Sequence, residues 1–92
     1  MSNRVLKWPV VADGDSYFVS GTPVFVACTD DKIYDVVHVW TLSSESVTDE
    51  TRKLQIFATG QPVPDDAVYV GTALAAGGAL VWHVFDVGNV SG

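Results

Sequence analysis

Two histidines, one cysteine and a scatter of aspartates are the groups in this 92-residue chain with the chemistry to make a site. His38 lies in "VVHVW" and His83 in "VWHVF". Strand alternation puts His38 on a face with Tyr34, Val36, Trp40 and Leu42, and His83 with Val81, Phe85 and Val87. A metal site needs three or more converging ligands with acceptors behind them. Two histidines and Cys28 could meet only if three separate strands aligned them, so no metal or cofactor is expected. The expected role of both histidines is structural or interfacial, a ring chosen for shape and a hydrogen bond. A histidine at an interface would also couple assembly to protonation.

Other chemistry is thinner. Cys28, in "VFVACT", reads as a small buried hydrophobe. With a single cysteine no intramolecular disulfide forms, and nothing implies an oxidising compartment. Asp13-Gly14-Asp15 lacks the further ligands of a calcium loop and reads as a turn. The serines fall in loops without a nucleophile elbow. "GTALAAGG" lacks the Gly-Lys-Ser/Thr ending of a phosphate loop. Asp65 and Asp66 are adjacent carboxylates in a Pro-rich turn. Such a pair does acid–base work only where the environment splits its two pKa values. No catalytic residue is assigned, and the chain is expected not to be an enzyme. Residues assigned to an interface or ligand contact are Trp40, His38, His83, Trp82, Gln61, Asp65, Asp66 and Tyr69, because aromatic side chains left at a surface favour contact with protein or ligand.

The elements that must position these groups are strands. Short β-favouring runs alternate with turn chemistry. Residues 4–10 read as a first strand with Leu6, Trp8 and Val10 on one face, and 12–16 as a turn. A short strand covers 17–19, and "SGT" turns the chain before Pro23. Residues 24–28 and 33–42 form the next two strands, joined by the tight polar link "TDDK". Residues 43–51 form the longest polar loop. In 52–59, Leu54, Ile56 and Ala58 point one way, Lys53 and Gln55 the other. A Pro-stiffened loop at 60–66 precedes a closing hairpin, 68–74 and 80–87, around "AAGG", where glycine supplies positive φ. "GNVSG" reads as a loose tail. The fold class expected is all-β: one domain over 1–92, a small antiparallel meander barrel or sandwich of about seven short strands.

Composition limits the function. Nearly half of the residues are apolar (48%) and 17% are charged, which places the chain among folded domains. The net charge is −6, and the five basic residues form no cluster beyond Arg52-Lys53, which argues against nucleic acid. The uncharged stretch 67–85 has the length of a membrane span. Its Gly-Gly pair, His83 and flanking aspartates fit a hairpin better, and no membrane association is expected. "MSNRVLKWPV" lacks the apolar run of a secretory signal. The strands at 24–28, 33–42 and 80–87 are apolar on both faces. A small domain has one core to offer, so a second copy is the expected cover for the other faces, and a homo-oligomer, a dimer first, is expected.

"KWPV" near the start and "IFATGQPVPDDAVYVGTALAAGGALVWHVF" at 56–85 carry a resemblance. Their order of Thr-Gly, Pro, Pro-Asp-Asp, Tyr-x-Gly-Thr, a Gly turn and Val-Trp-His-Val-Phe resembles a family of short uncharacterised proteins encoded by tailed bacteriophages, actinobacterial ones in particular, and by some bacteria. It covers the C-terminal third well and the N-terminal half loosely. The resemblance implies a small β fold and a phage accessory context, with no catalytic residue to carry over. The expected function is a non-enzymatic phage accessory protein that binds protein, self and a host or virion protein, in the host cytoplasm. The alternatives are a virion decoration or minor structural protein, and a protein that sequesters a nucleotide-type ligand in a pocket formed at the oligomer interface.

Overall fold

The structure is a computed structural model that describes residues 3–30, 32–44 and 51–88. It contains seven strands: β1 (Asn3–Val11), β2 (Ser16–Ser20), β3 (Thr22–Ala27), β4 (Val36–Ser44), β5 (Thr51–Ala58), β6 (Val68–Ala75) and β7 (Leu80–Asp86). They form two antiparallel sheets, a three-stranded one in the order β1-β4-β3 and a four-stranded one in the order β2-β5-β7-β6. The expected all-β class holds, and of its two forms the fold is the sandwich, not a closed barrel. The meander is only partial. β3-β4 and β6-β7 are sequential neighbours, whereas β1 pairs with β4, β2 with β5, and β5 with β7.

Alternation explains the layers. In β4, Val37, Val39, Thr41 and Ser43 are buried, while Val36, His38, Trp40 and Leu42 face out. Leu6, Trp8 and Val10 of β1 share the inner face, as do Leu54 and Ile56 of β5. The buried layer joins Val10, Val26, Val37 and Val39 of one sheet to Val19, Leu54, Ile56, Ala73 and Val84 of the other. Thr41, fully buried, accepts a hydrogen bond from Trp8 Nε1 at 2.9 Å, so its hydroxyl is not left unmatched.

Boundaries differ from the sequence reading: β3 starts at Thr22, and β4 runs on through the buried Ser43 to Ser44 while β5 starts at Thr51, so strand takes both ends of the stretch 43–51 read as loop. β4 begins at Val36 and not at residue 33, because Asp35 lends its carbonyl to Ala12 N (2.7 Å) and closes the corner beside β1. The tight link therefore becomes a longer loop over 28–35, with Lys32 N bonded to Asp30 Oδ1 at 2.9 Å. Residues 45–50 of the long polar loop and 89–92 of the tail lie outside the described residues. The Asp13 turn is built as read: Asp13 accepts from Asp15 N at 3.0 Å and from the Tyr17 hydroxyl, a bond that pushes the Tyr17 pKa up to about 12. At 67–85 the chain makes the hairpin, turning through Ala76, Gly77 and Gly78, all with positive φ. No helix among the described residues is long and apolar enough to cross a membrane.

One residue carries the chain from sheet to sheet between β2 and β3. Gly21 is buried with φ +92°, and a Cβ there would sit 2.8 Å from the Leu42 carbonyl oxygen. Its own carbonyl accepts from Arg52 Nε at 3.0 Å, and Arg52 also pairs with Asp86 at 3.5 Å. Gly60 has a similar φ (+88°) with open space around it. Gly60→Ala is expected to cost only the left-handed backbone penalty, about 1 kcal/mol. Gly21→Ala adds a clash with main chain and is expected to cost about 3 kcal/mol. Urea midpoints of the two variants measure the difference, and equal losses would remove the packing role of Gly21.

Candidate functional site

The eight residues singled out by sequence fall in four places and do not converge. His38 and Trp40 lie on the outer face of the three-stranded sheet. His83 and Tyr69 lie on the outer face of the four-stranded sheet, on the opposite side of the core. Trp82 is on an inner face, packed against the core, and its Nε1 donates to the Tyr34 carbonyl at 2.6 Å. Gln61, Asp65 and Asp66 occupy the exposed 59–67 loop. The Gln61 side chain accepts from Ala58 N at 3.0 Å and so closes the end of β5. Asp65 and Asp66 fill a turn in which Ala67 N donates to the Pro64 carbonyl at 3.1 Å.

On the three-stranded face, register builds rows across the sheet. Lys7 of β1 and Phe25 of β3 both pair with Trp40 of β4, and directly paired residues share a face. Lys7 Nζ lies 5.5 Å from the Trp40 ring centre, and the Phe25 and Trp40 rings lie 5.6 Å apart and tilted. Val5 pairs with Leu42 in the row on one side of it, and Pro9 with His38 in the row on the other. Phe25 and Val5 are each 62% exposed and Leu42 42%. Sequence reasoning missed Phe25 because a bulge between Pro23 and Phe25 breaks the alternation of β3 and turns both Val24 and Phe25 outward. Lys7 was legible as the outward residue between Leu6 and Trp8, but its seat on Trp40 depends on a pairing across more than thirty residues.

His38 holds the Thr29 hydroxyl at 2.9 Å through Nδ1. It is half-buried, and the ring stands on the outer face because Val37 and Val39 take the inner one. Burial, with the nearby Lys7 ammonium, pushes its pKa below the usual histidine value of 6.5. Cys28 is half-buried against the core, and burial pushes its thiol up, away from the reactive thiolate.

The four-stranded face carries a chain of polar groups. His83 Nε2 lies 2.8 Å from Thr59 Oγ1, His83 Nδ1 lies 3.1 Å from Thr72 Oγ1, and Thr72 Oγ1 lies 2.5 Å from the Tyr69 hydroxyl. Both nitrogens of a neutral imidazole are thus matched, one as donor and one as acceptor. This ring too is half-buried on an outer face, not in the core. No carboxylate joins the set. Around it, Phe85 meets Phe57 and Tyr69 edge-on at 5.6 and 5.5 Å. Phe57 is buried although it belongs to the outer face, while Phe18 and Tyr69 are exposed. A groove of about 370 Å³ at the start of β7 takes in Thr59 and Trp82 but not Gln61, Asp65 or Asp66. Among the described residues no three histidine, cysteine or acidic groups come together to hold a metal.

The two outer faces share one electrostatic property. Each described carboxylate lies in a turn or, for Asp86, at a strand end beside Arg52. Among the described residues neither face carries an acid, and each carries one lysine, Lys7 or Lys53.

Because the folded chain lowers the affinity of His38 for a proton, the stability contributed by the neutral ring is complete above the ordinary histidine pKa. It is lost as pH falls through that value, where the unfolded chain takes up the proton first. Denaturation between about pH 7 and about pH 5 is expected to show a steeper loss for the native chain than for His38→Gln. Identical slopes would assign the loss elsewhere.

No curated protein and no solved structure matches the chain significantly. The profile of a domain of unknown function, DUF7352, matches residues 1–91, and the chain belongs to that family.

Proposed function

We propose that this chain is a protein-binding module without catalytic chemistry of its own, acting as a homo-oligomer, a dimer first. We further propose that it serves a tailed bacteriophage as an accessory protein in the host cytoplasm. The observation that carries the binding reading is the pair of outward sheet faces. Val5, Val24, Phe25 and Leu42 are exposed on one, and Phe18, Tyr69 and Leu74 on the other. Large apolar groups gathered on a surface favour contact with protein. Confinement of the described acids to turns and, for Asp86, to a strand end supports the same reading, because a chain of net charge −6 can approach another protein through these faces without bringing those carboxylates into the contact.

The phage setting rests on the resemblance carried by residues 56–85. A virion component would use the same faces, and mass spectrometry of purified particles separates the two locations. The Tyr69–Thr72–His83–Thr59 chain leaves the ligand reading without a charged anchor, which disfavours an anionic nucleotide.

Light scattering after size exclusion tests the oligomer. The expected mass rises toward twice that of the single chain as concentration is raised from micromolar to near-millimolar. A single-chain mass over the whole range would end the homo-oligomer reading.

A further inference from the structure

We infer that the outer face of the three-stranded sheet is the contact between two copies of this chain, related by a two-fold axis running along β4, with Lys7 of each copy seated on the partner's Phe25. The inference rests on the homo-oligomer reading above and goes further by naming the surface and its geometry.

The argument starts from the row Lys7–Trp40–Phe25, which crosses the sheet from one edge to the other. Its two ends are chemically different, one a cation and the other an aromatic ring. A two-fold along the central strand exchanges the two edges. It puts Lys7 opposite the partner's Phe25, Trp40 opposite the partner's Trp40, and Phe25 opposite the partner's Lys7. The row is then its own complement, with a cation over a ring at both ends. A two-fold across the strands would instead set lysine against lysine. The neighbouring row follows suit. Val5 and Leu42 would meet Thr22 and Leu42 of the second copy, with no charge in the contact.

The edges of this sheet favour contact through the face. β1 carries Pro9 and β3 carries Pro23 beside a bulge. Proline lacks the N–H that a joining strand would need, and a bulge twists an edge away. The absence of carboxylates among the described residues of the face matters here too, since the partner has the same net charge of −6. Three strands about 4.8 Å apart and about 30 Å long make a flat face of about 400 Å² per copy. That belongs to the small-interface class, so a micromolar, reversible dimer is expected.

Two substitutions at one position test the geometry. Phe25→Lys would face the partner's Lys7 and repel it. Phe25→Glu would face the same lysine and attract it. Phe25 is 62% exposed, so both variants should keep the fold, which circular dichroism checks. Sedimentation equilibrium is expected to show Phe25→Lys weakening the dimer about tenfold or more, with Phe25→Glu near the native value. Equal weakening by both would overturn the axis, because each would then face its own copy. No effect from either, with loss of the dimer in Tyr69→Glu, would move the interface to the other sheet and leave the homo-oligomer reading standing. A native chain that stays single at every concentration would remove both.

Discussion

One thin layer of small β-branched side chains holds this molecule together. Val10, Val26, Val37 and Val39 on one sheet meet Val19, Leu54, Ile56 and Val84 on the other, and most of these are fully buried. Valine suits the layer because its branched Cβ fits a pleated surface and loses little side-chain freedom on ordering. Small residues also let the sheets come close. Gly71 of β6 lies against Val26 of β3, where an added Cβ would come within 2.7 Å of a Val26 methyl carbon. The glycine of "YVGT" is therefore a packing requirement of the sandwich.

The thinness of that layer decides what remains outside. Each strand gives the core alternate residues, and the rest must face away. In a longer chain, further elements would cover those residues. Here the described connections are mostly turns, and they hold the carboxylates. Apolar faces and acidic rims thus go together: alternate residues of each strand face away from the core, and the described carboxylates stand where the backbone turns or, for Asp86, where a strand ends.

Alternation within a strand was legible without the structure: it grouped Leu6 with Trp8 and Val10 and Leu54 with Ile56, as β1 and β5 do, and it gave the hairpin around Gly77 and Gly78, but with both faces of β4 apolar it could not say which one is inner. It also placed His38 with Trp40 and His83 with Phe85. Sheet order was not legible, because local pattern says which way a side chain points and not which strand lies beside it. The pairing of β1 with β4 spans the whole of β2 and β3. The bulges were illegible for a related reason. At Pro23/Phe25 and Tyr69/Gly71 an extra residue shifts the alternation, so period-two counting fails at the points that expose Phe25 and relieve β6. The Lys7–Trp40–Phe25 row needs both the pairing and the bulge, so no reading of single strands could assemble it. Trp82 is a different case: its assignment to a contact came from residue type alone, whereas its place on the inner face beside Val84 follows from the pleat.

Two outward apolar faces on opposite sides of one core raise a question of closure. An isologous contact through one face gives a closed pair. If both faces made such contacts, their two-fold axes would lie on opposite sides of the chain and would not meet, and copies would stack without end. A bounded assembly therefore needs the two faces to differ. They do. On the four-stranded sheet, Thr59 and Thr72 engage the central histidine within one chain, Tyr69 bonds Thr72, and Phe57 is already buried against Phe85. That face meets much of its own demand for partners. On the three-stranded sheet, Phe25 and Val5 remain open at the two edges, around a half-buried tryptophan. The difference in how far each face satisfies itself favours the smaller sheet for the proposed self-contact and the larger one for a proposed partner of another kind.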